Sequence, residues 1–356
     1  MKKTIHQFHA NVLSRDAIGA NMFAIQKELR RLGYESEIFC QTFSEDAEKR
    51  IIPFRQYHRY SSPDQLLIVH YSIGFPELDE VLALPEKKIL VYHNITPPEF
   101  FENLSPILAQ HCRDGREALL KFKGKIDLAV GDSEHNVLEL EQMGFDGGVS
   151  IPILLDFDKF AVAPDREILA KYKKPGWVNW LFVGRVFPNK KQEDIIKAFY
   201  YYKKYICPSS RLILVGSYKD MPLYHEYLLY FADYLGLRDD VILTGSVSES
   251  ELAAYYQSAD LFVCMSEHEG FCVPLIEAIH AGIPVMAFES SAVPETLGDT
   301  GVLIKEKRFP EIAELARYIL ENKPLRDRIV EEQKTRLQVY SSTAVLQKWM
   351  QVLNRF

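Results

Sequence analysis

The stretch Asp260-Leu-Phe-Val-Cys-Met-Ser-Glu-His-Glu-Gly-Phe-Cys-Val-Pro-Leu-Ile-Glu-Ala-Ile-His-Ala-Gly-Ile-Pro-Val285 decides how this chain folds. Asp260–Met265 is a short apolar run and reads as a buried strand, Ser266–Gly270 as a tight loop, and Val273–Ala281 as a helix ended by Gly282. A second short apolar run, Pro284–Phe288, then returns as a strand. Two glutamates bracket the start of the helix, with seven residues between them: Glu269 in the loop and Glu277 one turn inside. Were both helical they would stand about 12 Å apart, too far to share one small group. The loop removes that restriction and leaves the N–H groups of Phe271, Cys272 and Val273 without helical acceptors between the carboxylates. Such N–H groups form an anion site. Carboxylates accept hydrogen bonds from sugar hydroxyls, so this layout suits a ligand with phosphates in the middle and hydroxyl-rich groups at both ends. A nucleotide-sugar has that shape. Lone glutamates are normally solvated surface residues. Glu277, however, sits among Leu275, Ile276, Ala278 and Ile279, where an unpartnered carboxylate is costly and a ligand hydroxyl or cation would relieve the cost.

The same alternation extends along the whole chain, as in parallel sheets covered by helices. Strands are expected at Thr4–His9, Ser36–Cys40, Leu66–Tyr71, Lys88–His93, Asp127–Asp132 and Val149–Ile153, with a helix over Gly19–Leu32 closed by Gly33. The pattern lapses over 156–178, through Asp156-Phe-Asp and Lys173-Lys-Pro-Gly. It restarts with strands at Trp180–Val186, Arg211–Gly216, Val241–Gly245, Asp260–Met265, Pro284–Phe288 and Gly301–Ile304. The expected organisation is therefore an α/β protein of two Rossmann-like, doubly wound domains facing a central cleft. Residues 1–155 form the first domain, 156–178 a linker and 179–342 the second, and a last helix within 343–356 returns to the first domain. Such folds bind ligands at the carboxyl ends of their strands.

At 356 residues the length favours two domains. A hydrophobic content of 47% with 26% charged residues describes an ordinary globular protein, and a net charge of −7 argues against a nucleic-acid partner. Arg113, Arg116, Lys121, Lys123 and Lys125 form a local basic patch, which reads first as a solvated helix face and second as a peripheral membrane contact. The five cysteines include no Cys-x-x-Cys pair, and no apolar run reaches the ~20 residues of a membrane span. The expectation is a cytoplasmic protein, at most peripheral at the inner face of a membrane.

Further pieces of the second half stand at strand ends. Gly184-Arg-Val-Phe-Pro-Asn-Lys190 places a guanidinium and an ammonium there, one able to fork onto a phosphate and the other acting as a point charge. Ser217 follows Gly216, and Val247 precedes Ser248, which with Glu251 has the spacing of a capping box. Val293-Pro-Glu-Thr-Leu-Gly298 is a turn before the last strand. In the first half, Arg15-Asp-Ala-Ile-Gly-Ala-Asn21 fills the loop before the first helix, His93 ends a strand, and Asp132-Ser-Glu134 ends another.

In this order and at roughly these spacings, the pieces resemble the family 4 retaining glycosyltransferases (glycosyl transferases group 1), which have the GT-B fold. The resemblance is strong over 180–305 and looser in the first half. It implies that Arg185, Lys190 and the N–H groups of Phe271, Cys272 and Val273, beside Gly270, hold the donor diphosphate, while Glu277 binds the ribose and Glu269 the transferred sugar. It also implies a contact from His93 to that sugar, donor contacts from Gly19 and Ala20, and base contacts near Ser217 and Val247. The catalytic set so expected is His93, Glu269, Arg185 and Lys190. Two departures stand out: Cys272 replaces the family's usual glycine, and only Gly19 remains of its two adjacent glycines. Enzymes of this kind need no bound metal, so Asp156-Phe-Asp158 reads as linker and no cofactor is expected. The implied activity is retaining transfer of a hexose from UDP-glucose or another UDP-hexose, with GDP-mannose next, to a glycan or lipid-linked acceptor in surface polysaccharide synthesis. The alternative is a non-catalytic sugar-nucleotide-binding scaffold on the same fold. A dehydrogenase is disfavoured because neither half has Gly-x-Gly-x-x-Gly after its first strand.

Overall fold

The computed structural model describes residues 3–12, 17–44, 50–157 and 162–356. The chain divides into two compact units. The first holds residues up to Glu99, Ile107–Asp156 and Val339–Phe356; the second holds Phe100–Pro106 and Phe157–Gln338.

The first unit is built on a seven-stranded parallel sheet in the order β3-β2-β1-β4-β5-β6-β7. Its strands are β1 (Ile5–Val12), β2 (Ile38–Phe43), β3 (Ile52–Pro53), β4 (Leu66–Tyr71), β5 (Lys87–Tyr92), β6 (Leu128–Gly131) and β7 (Val149–Ser150). All six residues of β4 are buried, as a strand covered by helices on both faces requires. The two-residue β3 has too little periodicity to be seen in sequence. Helix α1 (Ala17–Arg31) follows β1 and stops at Gly33, whose φ of 91° lets its N–H reach Arg30 O at 3.0 Å while Tyr34 N–H bonds Leu29 O at 3.0 Å. The remaining helices of this unit are α2 (Leu78–Ala83), α3 (Pro106–Leu119), α4 (Glu134–Gln142) and the final helix, Ser342–Leu353. Val345, Trp349, Val352 and Leu353 of that final helix share one core cluster with Ile25, Leu29 and Ile68.

The second unit carries a six-stranded parallel sheet, β10-β9-β8-β11-β12-β13. Its strands are β8 (Val178–Val183), β9 (Ser210–Val215), β10 (Val241–Gly245), β11 (Leu261–Cys264), β12 (Val285–Phe288) and β13 (Val302–Ile304). Its helices are α5 (Arg166–Tyr172), α6 (Gln192–Tyr205), α7 (Pro222–Tyr234), α8 (Glu249–Ser258), α9 (Val273–His280), α10 (Val293–Leu297), α11 (Phe309–Glu321) and α12 (Lys323–Arg336), leaving α13 for Ser342–Leu353. The stretch read as a linker contains α5, capped by Asp165 Oδ1 on the N–H of Ile168 at 2.9 Å. The strand expected to run to Val186 ends at Val183, where the backbone bends at Gly184. The capping box forms as the spacing predicts, with Glu251 Oε2 accepting from Ser248 N–H at 2.7 Å and Ser248 Oγ from Glu251 N–H at 3.3 Å.

Arg116 of the basic patch is tied to Glu139 and to Ile95 O at 2.8 Å, and Lys121 pairs with Asp79 at 2.9 Å. No helix among the described residues is long and apolar enough to cross a membrane. Because Trp349 is only 4% exposed, Trp349→Ala is expected to lower the unfolding free energy by about 3–5 kcal/mol in urea titrations followed by circular dichroism. A loss under about 1 kcal/mol would mean that α13 is not docked on the first unit's core.

Candidate active site

Both sheets have their first strand beside their fourth, so the chain direction of the crossovers reverses between β1 and β4 in one unit and between β8 and β11 in the other. Ligands bind at this switch point in doubly wound sheets. In the second unit the expected donor pieces fall on neighbouring strand ends: Val247 after β10, Ser217 after β9, Arg185 and Lys190 after β8, and Glu269 through Val273 after β11. The strand ends are packed against one another. A Cβ added to Gly216 would lie 2.0 Å from Gly184 O, so only glycine lets these two loops approach.

Arg185 is anchored through its carbonyl, which accepts from Gln192 Nε2 at 3.0 Å, and its guanidinium lies 4.5 Å from the centre of the Phe187 ring. Among the described residues it forms no ion pair, which leaves an exposed guanidinium at the switch point. Lys190 is committed differently. Its ammonium bonds Glu269 Oε2 at 2.6 Å, with side-chain exposures of 20% and 8%. The loop after β8 is further tied to the loop after β11 by Glu267 N–H on Asn189 O at 2.8 Å and by Asn189 Nδ2 on His268 O at 3.0 Å. Lys307 bridges Asp194 at 2.8 Å and Glu267 at 2.7 Å. From the other side Ser291 Oγ accepts from Glu269 N–H at 2.7 Å, Ser290 Oγ donates to Ser266 O at 2.6 Å, and Thr296 Oγ1 donates to Phe271 O at 2.5 Å. Ser290, Ser291 and Thr296 therefore clamp the loop before α9, and the stretch expected as a turn at Val293–Gly298 is the short helix α10 with its cap at Gly298. Phe101 packs edge-on against Phe187 with ring centres 5.6 Å apart, and Phe100–Pro106, expected within the first domain, belongs to the second unit.

Cys272 caps α9 with φ 70° and ψ 62°, the left-handed conformation that glycine adopts without cost. The backbone thus keeps the shape a glycine would give it. The Cys272 thiol is hydrogen-bonded to Cys264, which with burial pushes its pKa up. Sulfurs of Cys264 and Cys272 and a Glu269 oxygen lie within 4.8 Å of one another. That donor set suits a soft divalent cation, but the Lys190 ammonium already neutralises the carboxylate.

Glu277 is 7% exposed and accepts from Tyr256 Oη at 2.8 Å. Burial, followed by the neighbouring Glu277 charge, pushes the Tyr256 phenol well up. Tyr256, Ser291, Thr296 and Lys307 were not singled out in the sequence, since each meets its partner through a contact distant in the chain.

In the first unit, Gly19 and Ala20 occupy the first turn of α1, and Gly19 is buried. Arg15 and Asp16 of that loop, like Asp158 of Asp156-Phe-Asp158, lie outside the described residues. Ser133 caps α4, accepting from Asn136 N–H at 3.2 Å. His93 follows β5, but its side chain is only 2% exposed and both ring nitrogens are engaged: Nδ1 with Asp132 at 2.6 Å and Nε2 with His70 at 2.8 Å. The ring therefore has no nitrogen left over for a sugar hydroxyl.

Residues 165–336 match the family described as glycosyl transferases group 1. The GDP-mannose-dependent alpha-(1-6)-phosphatidylinositol monomannoside mannosyltransferase of Mycobacterium tuberculosis is 28% identical over 181 residues, 48% of this chain and 46% of that protein. The chain thus spans about half the length of the curated relative it matches. Among solved structures, sucrose-phosphate synthase from Thermosynechococcus elongatus superposes with a TM-score of 0.78 at 18% identity, covering 99% of both chains. Anabaena HepE in complex with UDP and glucose gives a TM-score of 0.77 at 17% identity, covering 99% of this chain and 100% of that one.

The conformation at Cys272 yields a test that reverses the usual size rule. Cys272→Gly is expected to be more stable than Cys272→Ala by about 1 kcal/mol in chemical denaturation, because alanine keeps the left-handed cost and glycine does not. Equal stability, or an alanine variant that is the more stable, would rule out the left-handed cap.

Proposed function

Because the chain belongs to the glycosyl transferases group 1 and has the GT-B fold, we propose that it moves a hexose from a nucleoside diphosphate sugar to a glycan or lipid-linked acceptor, with retention at the anomeric carbon. The observation that carries the reading is the meeting of Arg185, Lys190, Glu269 and the start of α9 at the switch point of the second sheet. Charge grows on the leaving diphosphate as the glycosidic bond breaks. The exposed Arg185 guanidinium, the Lys190 ammonium and the N–H groups of Phe271, Cys272 and Val273 offset that charge. Lys190 reaches the phosphate while keeping hold of Glu269, so the same ammonium orients the carboxylate toward the sugar. Glu277, held by Tyr256, takes the ribose hydroxyls with its carboxylate. Ser217 and Val247, on the adjoining strand ends, border the base.

We place GDP-mannose ahead of UDP-hexose. The mannosyltransferase named above is similar in sequence and GDP-mannose dependent by its name, whereas UDP enters through proteins that share the fold at under 20% identity. That relative's lipid-linked acceptor likewise supports a lipid-linked or polysaccharide acceptor at a membrane surface, met by a protein working from the cytoplasmic side. No metal is required, because fixed cations and N–H groups cover the leaving charge.

Three measurements test this reading. Donor hydrolysis by the wild type should release free nucleotide slowly. Arg185→Ala and Lys190→Ala should each cut turnover about a hundredfold, and Glu277→Ala should cost about 2 kcal/mol in kcat/KM, roughly 30-fold. EDTA should leave turnover unchanged; its loss would point instead to a cation held by Cys264, Glu269 and Cys272. Thermal-shift titration should give the largest stabilisation with GDP-mannose, while equal shifts with GDP, UDP and ADP sugars would defeat a selective pocket. An α-linked donor should give an α-linked product by NMR, and a β-linked product would sink the retaining assignment. A scaffold would bind the donor without turning it over under any acceptor.

A further inference from the structure

A buried chain of hydrogen bonds crosses the first sheet at the carboxyl end of β5: Met22 O, Gln7, His70, His93, Asp132. Its protons can be counted from one end, because a main-chain carbonyl only accepts. Gln7 Nε2 faces Met22 O at 3.0 Å, so the nitrogen of the amide points there and the oxygen points away. That oxygen lies 3.0 Å from His70 Nε2, which must carry a hydrogen. His70 Nδ1 lies 2.8 Å from His93 Nε2, so one hydrogen sits between these two nitrogens. The 5.1 Å between ring centres and the 9° between ring planes are those of two rings meeting edge to edge, nitrogen to nitrogen, in one plane. His93 Nδ1 lies 2.6 Å from Asp132 Oδ2, and another hydrogen is needed there, since a bare ring nitrogen and a carboxylate would repel. Three hydrogens are thus required on four ring nitrogens with Asp132 ionised. Two neutral imidazoles supply only two.

We infer that the His70–His93–Asp132 group holds one extra proton, carried by His93 as an imidazolium ion paired with the Asp132 carboxylate. The charge belongs on His93 rather than His70 because Asp132 touches only His93, and both side chains of that pair are nearly closed to solvent. Burial independently holds His70 neutral, its pKa well below the ordinary value. The other titratable group facing His93 is His9 on β1, with ring centres 6.5 Å apart; its Nδ1 bonds His70 O at 2.8 Å, and burial lowers its pKa to about 4, so it stays neutral. The pair is neutral overall, which makes its burial tolerable. Loss of the proton would leave one of the three buried contacts with two acceptors facing each other.

Resting on the transferase reading, this makes Asp132, His70 and Gln7 positioning residues: they lock the His93 ring. The part of His93 that remains accessible is then its main chain, which enters the loop at Asn94, a residue with φ 72° whose side chain is held by Asn136 at 2.9 Å and Glu139 at 2.8 Å. Any contact from position 93 to the transferred sugar accordingly comes from the backbone, with the imidazolium fixing where that backbone lies.

The test is nitrogen NMR of the full chain labelled at histidine, with His93 assigned by comparison with His93→Gln. Around neutral pH both His93 nitrogens should show protonated-type shifts, and His70 should show one protonated and one bare nitrogen. Asp132→Asn should return one His93 nitrogen to a bare-type shift. A bare-type nitrogen on His93 in the wild type would overturn the inference, whether or not Asp132→Asn folds. The readout needs no substrate, so its failure and the failure of the transferase reading are distinguishable. A second readout ties it to function: Asp132→Asn should raise the KM for donor more than it lowers kcat, and the conservative Asp132→Glu should recover part of the loss. No change in either constant would remove the positioning role.

Discussion

The contact between Lys190 and Glu269 is the one on which the rest of the candidate site depends. It joins the loop after β8 to the loop after β11 across the point where the sheet order reverses. A carboxylate with 8% of its side chain exposed is costly to bury without a partner. The ammonium supplies that partner and so places Glu269 beside the first turn of α9. Removing either group strands the other, which is why the pair acts as a unit. Around it lie the Asn189 bonds, the Lys307 bridge to Asp194 and Glu267, and the clamp from Ser290, Ser291 and Thr296. Together these leave Arg185, among the described residues of this site, as the cation still open to an incoming anion. The site is therefore organised before ligand arrives, as electrostatic stabilisation of a leaving phosphate requires.

Much of this was legible in the sequence because the signals are local. A strand, a loop and a helix with its stop residue lie within Asp260–Val285, and the period changes where the structure changes. The Ser248–Glu251 capping box and the Gly33 stop are likewise set by neighbours three or four residues apart. What was not legible is the pairing of groups far apart in the chain. Tyr256 on Glu277, Ser291 on Glu269 and Asp132 on His93 become neighbours only when helices and strand ends are packed. One signal was available: a histidine inside the apolar run Leu66–Tyr71 must be satisfied by something, and His70 is the link that holds His93.

Cys272 illustrates how a local rule gives way to surrounding structure. A non-glycine residue at φ 70° is held there because its thiol is buried against Cys264 and the preceding Phe271 is clamped by Thr296. The stretch keeps the backbone a glycine would provide and adds a buried thiol to the loop before α9. His93 is the converse case, in which the residue type matched expectation while the geometry assigned its ring to the protein's own interior.

The proposed function requires the donor diphosphate to sit at the switch point of the second unit. A crystal structure of the chain with a bound nucleoside diphosphate tests this most directly. Phosphate oxygens should lie against the N–H groups of residues 271–273 and the guanidinium of Arg185, with Lys190 between phosphate and Glu269. Phosphates bound elsewhere, with the Lys190–Glu269 pair untouched, would contradict it.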